Sequence, residues 1–331
     1  MTVRVDTNWR YRDFQVISLE NKYLRLDIFP ELGANIYNVI DKPSDHNFLW
    51  HNPRVIPHKV PFGGNYDDNF YGGWDDIFPN DPPEQFDAET YPDHGEIWCQ
   101  PWNYEITEQT SQRCAVRFWV YGRVTQSLVE KWVSLEKNER RIGLRYRFTN
   151  LGQKPQSYLW KLHPALFVNE RHRIDLPAKS AELGPCLSRP RGQEGQVYEW
   201  PFLTSGNQRH EISQALPIDS QVAEMHFATE LNQGWCALTD TETKLGFGLA
   251  FDKEVFSTVW LFMTYGGWRG LNTVILEPST GYPHHLRDAK ARGRLARLEG
   301  GVTLETQVTA VIYEGVSGVG KIERDGHVHP L

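Results

Sequence analysis

The sequence contains few cysteines and lacks the common spacings of metal and nucleotide sites. Its 331 residues include four cysteines and no C-x-x-C pair, so we interpret them as reduced thiols, not as a zinc site or a disulfide framework. No H-E-x-x-H, Walker A or G-x-S-x-G motif occurs. We therefore expect an activity that needs no metal and no other cofactor.

Long apolar runs and an excess of positive charge are also missing. No segment approaches the ~18 consecutive apolar residues of a membrane helix, and the N-terminal stretch lacks the apolar core of a secretory signal. The formal net charge is −7, which disfavours nucleic acid and anionic membranes as partners. Together with the reduced thiols, these features predict a cytoplasmic protein.

Alternation of apolar and polar residues, typical of β-strands, recurs along the chain, whereas helical periodicity is scarce. The clearest pattern predicts a hairpin with strands over residues 127–135 and 140–149 and a turn over 136–139. On its returning strand, apolar residues at every second position would face a core. Further strands are predicted over residues 24–29, 36–40, 115–124, 234–239, 245–251, 255–264, 271–276 and 303–313.

Composition gives no boundary between domains. Two polar stretches, residues 43–92 and 183–217, hold most of the proline, glycine and aspartate, and we interpret them as long loops, where sites usually lie. No repeat or linker divides the chain. We predict one all-β domain over residues 1–331, a large antiparallel β-sandwich of two packed sheets.

Glu277 directly follows a short apolar run, Val274 to Leu276, that predicts a buried strand. Pro278 comes next and is expected to end the strand, because proline has no N–H to donate. A carboxylate at the end of a buried strand is costly unless it is used or paired. The alternative is a glutamate at the strand end that faces solvent or pairs with Arg287.

Gly72–Asn80 has the composition of a loop and carries two carboxylates beside a tryptophan. An indole can pack on the apolar face of a sugar, and a carboxylate can accept hydrogen bonds from its hydroxyls. We therefore assign Trp74 and Asp76 to substrate binding. The alternatives are a solvated acidic turn and a calcium loop, although the oxygen ligands lack the spacing of an EF-hand.

Two histidines complete the set of candidates. His94 precedes Gly95, which would let the backbone approach a ligand closely. Lys161 and His163 share one face of a predicted strand, and Pro164 restricts the backbone of His163 to extended conformations. The alternatives are that His94 is satisfied by a loop carbonyl and that His163 lies on an edge strand.

Four motifs, G-G-W-D-D-I-F-P, D-H-G-E-I-W, K-L-H-P-A-L-F and L-E-P-S-T-G-Y-P, occur in an order that resembles the galactose mutarotase-like superfamily, which includes the aldose 1-epimerases. The resemblance implies a β-supersandwich with His163 as general acid, Glu277 as general base and His94 as a substrate-positioning residue. The arginine-bearing segment that precedes this histidine in galactose mutarotases is replaced by Gly-Gly-Trp-Asp-Asp.

Interconversion of α and β anomers requires a base at the anomeric hydroxyl and an acid at the ring oxygen. At pH 7 an ordinary glutamate is ionised, and an ordinary histidine is about a quarter protonated. We expect a nearby carboxylate, such as Glu277, to raise the protonated fraction of His163.

We therefore predict an isomerase that acts on a neutral or weakly charged aldose, or on the reducing end of an oligosaccharide. His163 and Glu277 would be its catalytic residues, and His94, Trp74, Asp76 and Lys161 would bind the sugar. One alternative is a glycoside hydrolase or polysaccharide lyase that uses Asp76 and Glu277 as its carboxylate pair. Another is a non-catalytic carbohydrate-binding protein.

Overall fold

The structure is a computed structural model that describes residues 2–331. These residues form 28 strands, two short α-helices and one 3-10 helix, which confirms the all-β prediction. Within residues 2–331, no helix combines the length and the apolar character needed to cross a membrane.

The elements are numbered in chain order. The first half of the chain contains β1 (Arg4–Tyr11), β2 (Phe14–Glu20), β3 (Leu24–Phe29), β4 (Asn35–Asp41), β5 (His46–Asn47), α1 (Tyr66–Asn69), β6 (Trp74–Ile77), β7 (Glu84–Phe86), β8 (Glu89–Tyr91), β9 (Asn103–Gln109), β10 (Arg113–Tyr121), β11 (Ser127–Glu136), β12 (Arg141–Asn150), β13 (Gln156–Tyr158) and β14 (Lys161–Leu166). The second half contains β15 (His172–Asp175), β16 (Ser180–Ser188), β17 (Val197–Glu199), β18 (Phe202–Ser205), β19 (Gln208–Glu211), the 3-10 helix (Ile218–Ser220), β20 (Val222–Thr229), β21 (Trp235–Asp240), β22 (Leu245–Ala250), β23 (Thr258–Tyr265), β24 (Asn272–Ser279), α2 (Leu286–Ala291), β25 (Ala296–Leu298), β26 (Thr303–Glu314), β27 (Val319–Ile322) and β28 (Val328–Pro330).

The chain forms two compact units. The first comprises the residues up to His163 together with Thr280–Val308, and the second comprises Pro164–Ser279 and Thr309–Leu331. The proposal that residues 1–331 form a single domain stays a prediction.

The first unit contains two antiparallel sheets, one ordered β1-β2-β3-β4-β6 and the other β12-β11-β10-β9. The predicted hairpin is confirmed as β11 and β12, whose register pairs Leu135 with Ile142. Along β12 every second residue is buried, as the alternation predicts. Lys131 of β11 reaches Asp76 of β6 at 2.8 Å, and both are 1% exposed, so these sheets face each other across a dry core.

In the second unit, one sheet is ordered β24-β23-β20-β16-β17, and β15, β21, β22 and β26 form successive antiparallel pairs. A cluster of apolar side chains around Trp235, Val311 and Tyr313 fills part of its core. The predicted strand pair over 234–239 and 245–251 is confirmed as β21 and β22.

The prediction that Pro278 ends its strand is wrong. Strand β24 continues to Ser279, with Glu277 opposite Trp260 and Pro278 opposite Val259. A proline removes one N–H donor, but its carbonyl still accepts and its neighbours still pair. Glu277 therefore lies inside a strand at 0% exposure, which excludes the solvent-facing alternative.

The interpretation of residues 43–92 as one long loop is also wrong. The stretch contains α1, β6 and the hairpin of β7 and β8. The loop-like segment Gly72–Asn80 contains β6, in which all four residues are buried. Gly72 and Gly73, at φ of +92° and +82°, turn the chain into β6. Elements this short, between glycine and proline, are too brief to show a period in the sequence.

Candidate active site

Seven polar side chains of the first unit lie together in what we call the histidine cluster, and hydrogen bonds, ion pairs or ring contacts link each of them to another member. Three of the predicted site residues, His94, Lys161 and His163, belong to it. Its members are Tyr66, Asp75, Asp81, Asp93, His94, Lys161 and His163.

His94 is held in a backbone conformation that few side chains adopt. Its φ is +55°, in the left-handed region, and Gly95 follows at +74°. A Cβ on Gly95 would stand 2.1 Å from the carbonyl oxygen of Phe78, so only glycine allows this close approach. The backbone N–H of His94 donates to the carbonyl of Asp81 at 2.6 Å, which closes the β7–β8 hairpin. Residues with such sparsely populated backbone angles cluster at functional sites.

Two carboxylates surround the His94 ring. Nδ1 lies 2.8 Å from Asp93 Oδ1, and Nε2 lies 3.6 Å from Asp81 Oδ1. Burial alone would lower the pKa of His94, but the attraction of Asp81 and the hydrogen bond with Asp93 outweigh it and raise the pKa. The ring therefore holds a proton more readily than an ordinary histidine, and when protonated it carries an N–H on both nitrogens.

Lys161 and Asp81 form a buried ion pair, with Nζ 2.5 Å from Oδ1 and exposed fractions of 2% and 9%. Burial alone would raise the pKa of Asp81, but Lys161 and His94 hold it well below its usual range. Asp81 therefore stays ionised and binds both cations. When His94 is protonated, it and Lys161 balance Asp81 and Asp93, and these four groups then carry no net charge.

Tyr66 joins Asp75 to His163. Tyr66 is the first residue of helix α1, and its backbone N–H donates to Asp93 Oδ2 at 2.8 Å. Its hydroxyl donates to Asp75 Oδ2 at 2.9 Å and lies 3.1 Å from His163 Nδ1. A hydroxyl has one hydrogen, so Nδ1–H of His163 donates to the Tyr66 oxygen. Neutral His163 then carries its lone pair on Nε2.

The ring of Tyr66 also contacts both histidines. It stacks on His94 with centroids 4.1 Å apart and planes 11° apart, and it meets His163 edge-on at 5.5 Å. The centroids of the two imidazoles are 6.1 Å apart. One side chain thus fixes the separation and the aim of both rings.

Asp75, Tyr66 and His163 form a relay of hydrogen bonds, and the pKa values of its two ends, Asp75 and His163, are shifted in opposite directions. Burial raises the pKa of Asp75 to about 6, although hydrogen bonds from Asn35 and Tyr66 favour its ionised form. Burial, then Lys161 and His94, lower the pKa of His163 well below its ordinary value. The expectation that a neighbouring carboxylate raises the charged fraction of His163 is therefore wrong, because burial and two cations outweigh the carboxylate Asp81.

Three predicted site residues lie outside the histidine cluster. Trp74 is 0% exposed, so a sugar cannot stack on its ring without displacing what covers it. Asp76 is held by Lys131. Glu277 belongs to the second unit, where it shares a sheet face with Trp260. Its role as general base is untested and stays a prediction.

Sequence reasoning missed Tyr66, Asp75, Asp81 and Asp93 as members of the cluster. Asp75 and Asp93 lie within the motifs G-G-W-D-D-I-F-P and D-H-G-E-I-W, but the roles were assigned to their neighbours Trp74, Asp76 and His94. Tyr66 had no signal, because a four-residue helix has no period. A usable hint was the density of aspartate across residues 67–93. Within residues 2–331, no group of three or more His, Cys, Asp or Glu is arranged to hold a metal ion.

No family model matches the chain, but its fold is similar to many solved structures. One is a Klebsiella pneumoniae protein with the provisional name aldose 1-epimerase, at 13% identity and a TM-score of 0.70, with 94% of this chain and 83% of that chain covered. Another is a galactose mutarotase-like protein from Lactobacillus casei, at 14% identity and a TM-score of 0.60, with 90% and 100% covered. A third is a galactose mutarotase related enzyme from Lactobacillus acidophilus, at 14% identity and a TM-score of 0.59, with 90% and 97% covered. The chain has the galactose mutarotase-like fold that its motifs resemble.

Proposed function

We propose that the protein is an aldose 1-epimerase, which interconverts the α and β anomers of a sugar by opening and closing its ring. The observation that carries the proposal is the relay Asp75–Tyr66–His163 beside His94, whose pKa is raised. It combines a proton store, a proton-transferring imidazole and a donor for a sugar oxygen. Fold alone does not fix function, but the similar structures that bear epimerase and mutarotase names support this choice.

The relay explains how His163 can be an acid despite its lowered pKa. When Asp75 is ionised, Nε2 of neutral His163 has no hydrogen. A form with one more proton has protonated Asp75, a Tyr66 hydroxyl that donates to Nδ1, and the hydrogen of His163 on Nε2. When Nε2 gives that hydrogen away, Tyr66 passes its hydrogen to Nδ1 and Asp75 passes its proton to Tyr66. Asp75, with its pKa of about 6, supplies that proton near neutral pH.

In the proposed reaction His163 Nε2 gives its proton to the ring oxygen while Glu277 takes the proton of the anomeric hydroxyl. The C1–O5 bond breaks and the aldehyde forms. Rotation about the C1–C2 bond, followed by reversal of both proton transfers, closes the ring as the other anomer. His94 donates a hydrogen bond to a sugar oxygen, and each proton-transferring group contributes ~10²–10⁴-fold.

The hydrolase alternative requires Asp76 to act as one of two catalytic carboxylates. Asp76 instead accepts a hydrogen bond from Lys131 in the core, where both side chains are 1% exposed. A carboxylate bound in this way is unavailable to protonate a leaving group, which counts against the alternative.

Polarimetry on a freshly dissolved α-aldose tests the proposal. His163→Asn and Glu277→Gln should each slow the approach to anomeric equilibrium by roughly 10²-fold or more while sugar affinity changes little. The double variant should lose far less than the product of the two factors. His172→Asn, at a buried histidine of the second unit, is the matched control. Wild-type protein that binds the sugar without accelerating the change would identify a binding protein, and full activity in His163→Asn would refute the assignment.

A further inference from the structure

The outer face of the N-terminal strands carries a cavity of about 320 Å³. Its floor is a row of directly paired polar residues that crosses β1, β2, β3 and β4. We call this cavity the N-terminal groove. The row consists of Asp6, Ser18, Asp27 and Asn38.

The floor is held in one arrangement by its own hydrogen bonds. Asp27 accepts from Ser18 at 2.9 Å and from Asn38 at 2.7 Å, and its side chain is 13% exposed. On the other face of these strands Leu19 and Leu26 are fully buried. The groove thus lies on the face of the sheet opposite to these leucines, and the apolar residues Val16 and Phe29 line it beside the polar row.

Two irregularities of the sheet add aromatic side chains to the groove. Between Asp6 and Trp9, β1 advances three residues while β2 advances two, so Trp9 lines the groove with Asp6 instead of facing away. Between Asn38 and Ile36, β4 has the extra residue Tyr37, which also lines the groove. Bulges re-aim side chains in this way beside binding sites.

The aromatic wall has both an exposed end and a packed end. Trp9 is 62% exposed and Tyr11 is 36% exposed. Tyr37 lies 6.0 Å from Tyr11 and 5.2 Å from Phe29, measured between ring centroids. Buried neighbours hold the base of the wall, and Trp9 offers a large flat ring to a ligand.

The charges that line the groove cancel. Its lining includes three basic residues, Arg4, Arg10 and Arg25, and three acidic residues, Asp6, Glu20 and Asp27. A charged ligand therefore gains no net attraction, and an overall charge of −7 disfavours anions further. A ligand with hydroxyls that both donate and accept, and with an apolar face for an indole, fits this lining.

We propose that the N-terminal groove binds a neutral saccharide, with one pyranose ring stacked on Trp9 and its hydroxyls on the row of Asp27. The volume lies at the small end of the ~300–1,000 Å³ range of ligand pockets, so the ligand is short, of one or two rings. The groove uses no residue of the histidine cluster. The proposal therefore holds whether or not the protein is an epimerase.

Calorimetric titration with maltose and cellobiose tests the proposal. Binding of at least one of them should weaken roughly tenfold or more in Trp9→Ala. Tyr121→Ala, at a residue of the same unit that is 56% exposed, is the matched control and should leave the affinity unchanged. Trp9→Ala should keep the wild-type rate of anomer exchange, because Trp9 lies outside the histidine cluster, and this separates the result from any outcome for the proposed epimerase.

Several outcomes would overturn the proposal. They are no heat of binding from either disaccharide, equal affinity in Trp9→Ala and wild type, and tighter binding of glucose 6-phosphate than of the neutral sugars. Light scattering gives another readout. A dimer that dissociates in Trp9→Ala would make a second copy of the chain the occupant of the groove. Because Trp9 is largely exposed, Trp9→Ala should fold normally.

Discussion

Tyr66 lies between Asp75 and His163, so its hydroxyl decides whether a proton held by one reaches the other. In the wild type we expect turnover to rise as the pH falls from 8 through about 6, where Asp75 gains its proton, and then to level. The sign follows from the raised pKa of Asp75, since the relay holds the extra proton below that value and loses it above.

Tyr66→Phe should separate Asp75 from His163 without removing the ring that contacts both histidines. His163 must then take its proton at its own lowered pKa. The rise in turnover should therefore move to lower pH, and turnover at pH 7 should fall by roughly tenfold or more. Measurement of kcat against pH checks this, with Tyr71→Phe as the control for loss of a buried phenol. An unchanged profile in Tyr66→Phe would show that the relay does not supply the proton.

At the scale of elements, a variant in β6 distinguishes two roles for Asp76, as the structural partner of Lys131 and as a catalytic carboxylate. Asp76→Asn leaves Lys131 buried without a counter-ion, so we expect the unfolding free energy to fall by about 3–5 kcal/mol. The double variant Asp76→Asn/Lys131→Met should recover much of that loss. Urea denaturation of the three proteins measures the effect. An Asp76→Asn protein that keeps its stability but loses all turnover would restore Asp76 as a catalytic group.

Long strands with one partly exposed face were predicted from the sequence, and short buried strands were not. Strand β12 alternates between buried and partly exposed residues over ten positions, so the period of two identifies it and the hairpin that it forms with β11. Strand β6 has four residues, all buried, and shows no alternation. The sequence therefore favoured a loop there, and with it the exposed sugar platform at Trp74.

The residues of the histidine cluster were predicted only in part. His94 stood out because Gly95 follows it, and Lys161 and His163 stood out as basic groups on one face of an otherwise apolar strand. Tyr66 and Asp81 come from separate stretches and meet those groups only in the folded chain, which spacing cannot reveal. The direction of the His163 pKa shift depended on burial and on Lys161, and both follow from packing.

On the scale of the whole molecule, both units are assembled from separate chain segments. The chain leaves the first unit at His163 and returns to it at Thr280, and the second unit resumes at Thr309. No single continuous segment contains all of either unit. We therefore keep the proposal of one domain over residues 1–331.

The charge of the whole molecule and that of the site lead to a prediction about the substrate. The protein carries a formal charge of −7. In the site, Lys161 and protonated His94 are already matched by the carboxylates Asp81 and Asp93. A sugar phosphate carries about −1.5 to −2 charges at pH 7 and would approach a surface of the same sign without gaining a cation on arrival. A neutral aldose meets no such repulsion.

We therefore expect kcat/KM for anomer exchange to be higher for glucose or galactose than for glucose 6-phosphate or glucuronic acid. Exchange spectroscopy by NMR on this matched set measures the order directly. Added salt should narrow the gap, because repulsion between exposed charges is screened within ~10 Å at 0.1 M ionic strength. A gap that salt does not change would place the discrimination in the contacts of the site and not in the surface charge. A strong preference for the 6-phosphate would contradict the prediction, since it would require a cation that Asp81 and Asp93 have not already neutralised.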